Sequence, residues 1–195
     1  MSIFTGLTAN TRKHLQLDAG ALYKNYDPAT DTPSTATAKL IGATVGGSTF
    51  AAVPEVRQIS VDGVKGPTKG FEAIDSWTVT LTATIKEVTV DVIKAALAAA
   101  TSAATTSSPA SYTKINIKDL ADSDYINNIT WIGKLSGSSQ PIMIVIKNAL
   151  NLTGFTLQAQ DKNEGGVPTV FTAHYDTADL ESVPVDIYIP DVATS

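Results

Sequence analysis

The chain has 195 residues and a net charge of −5, from 14 Lys and Arg against 19 Asp and Glu, with an isoelectric point near 4.9. This length predicts one domain with a substantial core, since a chain of about 150 residues buries roughly 70% of its unfolded surface. The acidic balance argues against a protein that grips nucleic acid, because phosphate binding needs a basic surface. The sequence contains no cysteine, which excludes disulfides, thiolate metal sites and a cysteine nucleophile.

Neither a secretory signal nor a membrane span is expected. Residues 1–14 are polar and lack the apolar core of a signal peptide. The alanine-rich run Ala95–Ala100 is far shorter than the roughly 20 apolar residues that a membrane helix needs. Thr and Ser together supply 41 residues, about a fifth of the chain, and threonine favours strands.

In chain order, the pattern predicts a polar N-terminal arm (residues 1–18), a single domain (residues 19–190) and a C-terminal tail (residues 191–195). Short runs rich in alternating apolar residues predict strands. These runs lie at residues 19–26, 56–61, 76–86, 112–118, 126–135, 141–147, 152–160, 167–175 and 183–189. The fold class expected from them is mainly β, a β-sandwich or barrel of two antiparallel sheets flanked by one α-helix.

One helix is predicted from Thr89, which can cap its N-terminus, to about Ala104. Residues 27–38 and 42–47 are predicted to be irregular, because they are rich in Pro, Asp, Ser and Gly. Residues 164–166 are predicted to form a turn between two strands, and Asp62-Gly63 is a strong turn signal.

The clearest strand is Ser76–Lys86, where apolar and polar residues alternate over eleven positions. Its apolar face is made by Trp77, Val79, Leu81, Ala83 and Ile85, and its polar face includes Thr78, Thr80, Thr82 and Thr84. Such a period of two places one face in a core and leaves the other open to water.

The sequence holds no catalytic motif for nucleotide binding, ester hydrolysis or zinc-dependent proteolysis. The acidic segment 119–124 lacks the spacing of a calcium loop and is better explained by loop turns. His14 and His174 form no recognisable acid-base pair or ligand set, and Trp77 and Trp131 are expected to anchor the core. We therefore expect a protein that is not an enzyme and that has no cofactor and no metal site.

Charge divides unevenly along the chain. Residues 161–195 hold seven acids and one base, a net charge of −6, whereas residues 1–160 hold 12 acids and 13 bases, a net charge of +1. Oppositely biased regions can help identical molecules join head to tail. A solvated acidic terminus explains the same numbers equally well.

Three blocks of the sequence carry a family resemblance. They are Leu15–Asp27, with the sequence LQLDAGALYKNYD, Ile41–Thr89, which is the strongest, and Ile142–Asp176, which ends in GGVPTVFTAHYD. In overall pattern they resemble the major tail proteins, or tail tube proteins, of long-tailed phages with non-contractile tails that infect Gram-positive bacteria. No block is a chemical fingerprint, and together they cover about half of the chain, between residues 15 and 176.

The resemblance implies a structural virion protein, made in the host cytoplasm, whose subunits form hexameric rings that stack into a tail tube. The implied partners are other copies of the chain, the tape measure protein inside the tube, and the tail terminator and distal tail proteins. DNA passes through the lumen during ejection without specific binding.

Two residue sets are candidate sites within this picture. The first is the glycine- and lysine-rich loop Gly63–Gly70, which we expect to contact a neighbouring subunit or ring through Gly63, Lys65, Gly66, Lys69 and Gly70. The second is the threonine row Thr78, Thr80, Thr82 and Thr84, which is a candidate lining of the lumen. A free surface hairpin and a solvent-facing strand are the plainer explanations of the two sets.

Two other functions remain open on the sequence. A tube protein of a related bacterial injection machine, a tailocin or secretion system, has the same fold. A surface adhesin or carbohydrate-binding β-sandwich also fits a Thr-rich, cysteine-free chain, but it predicts a secretion signal and an exposed aromatic platform, which the pattern does not provide.

Overall fold

The computed structural model describes residues 6–8 and 10–192. Ten strands and one α-helix follow one another along these residues. They are β1 (Ala21–Lys24), β2 (Thr44–Gln58), β3 (Glu72–Ile85), α1 (Val90–Leu97), β4 (Ala100–Ala104), β5 (Thr113–Ile117), β6 (Ile126–Lys134), β7 (Pro141–Asn151), β8 (Gln158–Gln160), β9 (Asn163–Thr172) and β10 (Val185–Tyr188). The predictions for residues 1–5, 9 and 193–195, in the arm and the tail, lie outside the described residues.

Eight of the strands form one antiparallel sheet that is bent at β7. The first half of β7 lies between β6 and β10, and β1 lies beyond β6. The last two residues of β7, Leu150 and Asn151, pair instead with β9, which continues through β3 to β2. β8 pairs with the start of β9, and β4 and β5 form a separate two-stranded sheet. The predicted mainly β, antiparallel fold with one helix is confirmed.

The main core fills the space between the two halves of this bent sheet. Its fully buried side chains come from five strands: Leu22, Val79, Leu81, Ile129, Ile146 and Phe171. A second cluster lies under α1, where Val92 and Ala96 pack on Ile85 of β3 and Val167 of β9. Burying large apolar side chains is the dominant favourable term in folding, so these contacts hold the sheet halves and helix together.

The helix is shorter than the sequence predicted. Its start is confirmed, because the Thr89 side chain accepts a hydrogen bond from the Val92 N–H at 3.2 Å. It ends at Leu97, and Ala98 has a positive φ of 63°. The next alanines form β4, so the predicted end at Ala104 is wrong. Pairing with β5, together with burial of Ala100, outweighs the helical propensity of alanine, although this is the highest of any residue.

The strand β2 is much longer than the predicted segment 56–61. It begins at Thr44 and includes Gly46 and Gly47, which have φ values of 76° and 78° and lie where the register with β3 shifts. This glycine bulge continues the strand through a segment that composition marks as irregular. The predicted turn at residues 164–166 is also wrong, because they belong to β9; the turn lies at Asp161–Lys162.

Residues 10–18 follow the connection between β6 and β7. The Leu17 N–H donates to the Lys134 carbonyl, the Ser136 N–H donates to the Leu15 carbonyl, and the Ser136 hydroxyl donates to the Arg12 carbonyl. The described end of the predicted arm is therefore hydrogen-bonded to the domain over several residues.

Candidate assembly site

The strands β2 and β3 extend beyond the rest of the sheet as a two-stranded ribbon. They pair with each other as far as Gln58 and Glu72, whereas β9 pairs only with Thr80–Ile85 of β3. We call residues 53–79 the β2–β3 ribbon. The chain after β9 still contacts the base of this ribbon, since the Ala173 N–H donates to the Val79 carbonyl at 2.9 Å and the Trp77 N–H donates to the Tyr175 hydroxyl at 3.2 Å. At 3.4 Å per residue, the five residues Glu72–Ser76 of β3 then extend about 17 Å past these contacts.

The β2–β3 ribbon exposes apolar side chains while its polar side chains satisfy one another. Arg57 Nε lies 3.0 Å from Asp75 Oδ2, and the Ser76 hydroxyl donates to Glu55 Oε2 at 2.9 Å. Seven large apolar residues of the ribbon are each at least 40% exposed: Val53, Val56, Ile59, Val61, Val64, Phe71 and Ile74. Val56 is paired with Ile74, and the Ile59 N–H donates to the Phe71 carbonyl, so these four are cross-strand neighbours. Exposed apolar residues that lie next to one another are typical of interaction surfaces.

The five loop candidates lie together at the tip of this ribbon, and all of them are exposed. Gly63 and Gly70 have φ values of 85° and 87°, which glycine adopts without strain. The Lys65 and Lys69 side chains form no ion pair with any described residue. The tip therefore presents two exposed positive charges on a glycine-rich turn at the end of the ribbon.

The four threonine candidates lie on the face of β3 that points away from the core. Thr78 and Thr82 are exposed, and Thr80 and Thr84 are half-buried among their strand neighbours. The opposite face of the strand is buried, so the predicted split between an apolar and an open face is confirmed. Whether the open face lines a lumen stays a prediction.

This threonine face continues over three strands without a charged residue. The segments are Ser48–Pro54 of β2, Trp77–Ile85 of β3 and Val167–Ala173, which covers most of β9. Strand pairing places ten of these 23 positions on the threonine face, and none of them is charged: Thr49, Ala51, Val53, Thr78, Thr80, Thr82, Thr84, Pro168, Val170 and Thr172. This face therefore presents hydroxyl and methyl groups, and none of its three strands contributes a charged side chain to it.

The outer edge of β2 is open, since among the described strands β2 pairs only with β3. Two register shifts, at Val45/Ser48 and Glu55/Val56, and the missing N–H of Pro54 interrupt the edge at its ends. Such interruptions are how sheet edges avoid unwanted pairing. Between these interruptions, the segment Ser48–Val53 is an open strand edge that contains neither a bulge nor a proline.

The acidic segment predicted from the sequence forms a loop after β9 and then the edge strand β10. Hydrogen bonds from the Ser182 side chain and backbone hold the pKa of Asp179 below its usual value. The carboxylate of Asp186 lies 2.8 Å from Lys147 Nζ. Exposed Glu181 adds a further negative charge beside them.

Other polar groups singled out in the sequence have structural partners. The Asp124 carboxylate accepts the Ala121 N–H at 2.9 Å and pairs with Lys118, whose hydrogen bond lowers the Asp124 pKa. The His174 ring lies edge-on to Tyr125 and its Nδ1 is 3.0 Å from the Asn148 carbonyl oxygen. Among the described residues, no group of three or more His, Asp or Glu side chains could hold a metal ion.

Asn151 is a structural residue that no sequence pattern predicted. It is 1% exposed at the point where β7 passes to β9. Its Nδ2 donates to the Ala96 carbonyl at 2.8 Å, and its Oδ1 accepts from the Thr153 hydroxyl at 2.7 Å and the Val170 N–H at 3.3 Å. One buried amide therefore joins the helix, the following loop and β9.

Comparison with known proteins adds no relative, since no protein-family model matches the chain and no curated protein matches it. None of the helical segments in the described part of the chain has the length and hydrophobicity to cross a bilayer.

Proposed function

We propose that the chain is a tail tube subunit, a structural virion protein whose copies assemble into rings that stack into a conduit for DNA. The observation that carries the proposal is the long open edge of β2, which runs into a projecting ribbon with seven exposed apolar side chains. In a monomeric protein, both features would favour unwanted association. In an assembly of identical subunits they become contacts.

Ring closure would use the open edge Ser48–Val53. An edge of one subunit that meets a different surface of the next makes a head-to-tail contact, and such contacts close into a ring when the rotation allows it. The hexameric symmetry of the proposed ring comes from the sequence resemblance. The β2–β3 ribbon, with Lys65 and Lys69 at its tip, reaches far enough from the sheet to contact a neighbouring ring.

The threonine face is the proposed lining of the lumen. A conduit for DNA must not hold the phosphates, and lysine or arginine on its wall would do so by releasing counterions. The three strands of this face carry no charge, and hydroxyl and methyl groups give a polyanion nothing to bind tightly. Within the same proposal, the tape measure protein occupies the lumen first, and the terminator and distal tail proteins cover the two ends.

Negative-stain electron microscopy of the purified full chain tests the assembly. Rings or tubes with a central channel are the expected result, and a monomer at every concentration and salt condition would contradict the proposal. For the ribbon tip, Lys65→Ala with Lys69→Ala should reduce ring stacking, whereas the control Lys134→Ala, at an exposed position on β6, should not.

The lumen is tested by introducing positive charge. The double substitution Thr80→Arg and Thr82→Arg should still allow tubes to form. It should slow DNA passage when the variant replaces the natural protein in the phage. Thr101→Arg, at an exposed position on β4, is the matched control. Normal assembly with unchanged DNA delivery by the double variant would show that this face does not line the channel.

A further inference from the structure

We propose a second self-contact: the open edge of β5 in one copy of the chain pairs antiparallel with the open edge of β10 in another copy. This inference rests on the proposed self-assembly and names a surface pair that the ring and ribbon contacts do not use. It is carried by three independent matches between the two edges, in backbone hydrogen bonding, in side-chain polarity and in charge.

The two-stranded sheet of β4 and β5, residues 100–117, projects from the domain as a second ribbon. We call it the β4–β5 ribbon. Most of its residues are exposed on both faces, with Tyr112 65% and Ile117 75% exposed. A two-stranded hairpin is at best marginally stable in water, and a further strand with an apolar face is what stabilises it. The ribbon therefore gains from a partner strand.

Backbone geometry shows which groups of β5 face outward. The Lys118 N–H donates to the Ala99 carbonyl at 3.2 Å, and the Thr105 N–H donates to the Tyr112 carbonyl at 2.8 Å. In an antiparallel pair, hydrogen-bonded positions alternate with positions whose N–H and C=O point away. Three residues of β5 therefore aim their backbone groups at the open edge: Thr113, Ile115 and Ile117.

The same reasoning applies to β10, which among the described strands pairs only with β7. The Lys147 N–H donates to the Pro184 carbonyl at 2.9 Å, and the register continues from Val185↔Ile146. By alternation, Ile187 directs its N–H and C=O groups away from β7, as Val185 does its C=O group, whereas the Val185 N–H already donates to the Val183 carbonyl at 2.7 Å. Ile189 follows with the same parity, so this edge also offers a row of alternating donors and acceptors.

Side chains on the two edges match when Ile117 lies opposite Ile187. This register places Ile115 opposite Ile189, so that apolar side chains meet on one face. Ile187 and Ile189 are 51% and 67% exposed in the single chain, and both would lose exposure. On the other face the register brings Lys118, which is paired with Asp124 in the single chain, opposite Asp186, which is paired with Lys147.

Charge favours this pairing over self-pairing of either strand. Residues 92–118 contain three lysines and no acid, whereas residues 161–195 have a net charge of −6. Pairing β5 with β5 would bring lysines together, and pairing β10 with β10 would bring acids together. Like charges directly opposite one another destabilise a strand pair. The contact is therefore between unlike edges, which lets it repeat from copy to copy.

Because the chain has no cysteine, a single introduced cysteine reports one contact without background. In the proposed register Asn116 lies opposite Tyr188, and both positions are exposed in the single chain. We would mix Asn116→Cys with Tyr188→Cys, assemble the full-length proteins and oxidise them mildly. The matched control replaces Asn116→Cys with Thr101→Cys, because Thr101 pairs with Asn116 but lies on β4, one strand farther from the contact.

The expected result is a disulfide between the Asn116→Cys and Tyr188→Cys chains, in at least about tenfold excess over the control mixture, since a disulfide needs Cβ atoms about 4 Å apart. Equal yields in both mixtures, or products that join only identical variants, would overturn the pairing. Ile117→Asp should also weaken association more than Thr101→Asp does, and an equal effect would contradict it.

The two proposals can fail separately. Tubes that form without the disulfide between the two variants would overturn the strand pairing and leave the tube function standing. A disulfide in small oligomers that never form rings would support the pairing and contradict the tube function.

Discussion

Replacing Val56 and Ile74 by threonine should weaken assembly and leave the folded subunit intact. The two residues are directly paired on the β2–β3 ribbon, and they are 54% and 55% exposed. Threonine keeps the β-branched shape that strands favour, so the ribbon itself should persist. The change removes apolar surface only where a neighbouring subunit would cover it.

The size of the effect follows from the exposed fraction. Complete burial of a valine or isoleucine side chain stabilises by about 1.5–3 kcal/mol, so covering the exposed half contributes roughly 1 kcal/mol at each site. Burying the new hydroxyl without a partner costs roughly 0.5–2 kcal/mol more at each site. The two sites together give about 3–6 kcal/mol. Because threonine keeps a γ-methyl group, the loss should lie near the lower end, about 3 kcal/mol per contact or about a hundredfold in affinity.

Sedimentation velocity over a concentration series measures this loss as a rise in the concentration needed for assembly. Urea unfolding of the unassembled subunit should change by less than about 0.5 kcal/mol, as is usual for surface substitutions. Val88→Thr is the control, because Val88 is 50% exposed but lies before α1, away from the ribbon. An unchanged assembly concentration, or an equal rise with the control, would refute the reasoning.

Three further substitutions test the fold around the site. Phe171→Ala removes a fully buried ring from the main core and should cost about 3–5 kcal/mol in the free energy of unfolding, measured with denaturant. Gly20→Ala should lower the melting temperature, because its φ is 68° and a Cβ would lie 2.4 Å from Trp131 Nε1; unchanged thermal unfolding would contradict this packing. Asp91→Asn tests how the free energy of unfolding changes at acidic pH, because a hydrogen bond from Lys24 holds the Asp91 pKa below its usual value. A lowered pKa stabilises above the unfolded value of about 3.9, and that contribution is lost as pH falls through the folded value. The variant should be less stable by under about 1 kcal/mol at pH 7 and should lose less stability than the natural chain between pH 4 and pH 2. Parallel profiles for the two proteins would count against the ion pair.

Features that depend only on residues close together in the sequence were predicted correctly. The alternation in Ser76–Lys86 is a property of neighbouring residues, and it correctly separated the buried face of β3 from the threonine face. The cap at Thr89 is also local, because its hydroxyl bonds a backbone N–H three residues away. The exposed glycines of the ribbon tip were predicted for the same reason.

Features that depend on distant residues were not predictable in this way. The ribbon projects because β9 stops pairing with β3 at Thr80, which is set by a partner about ninety residues later in the chain. The helix ends at Leu97 because the following alanines pair with β5. The role of Asn151 depends on three segments that meet only in the folded chain.

The sharing of β7 by both halves of the sheet has a mechanical consequence. Residues 141–147 and Ala149 of β7 pair with β6, and its last two residues pair with β9. One continuous backbone therefore crosses from the outer strands to the strands that carry the threonine face. The two halves cannot slide past each other unless this strand breaks its hydrogen bonds or its buried anchor at Asn151. A pull on one half is therefore transmitted to the other through covalent bonds, and the subunit should deform as a single stiff unit under load.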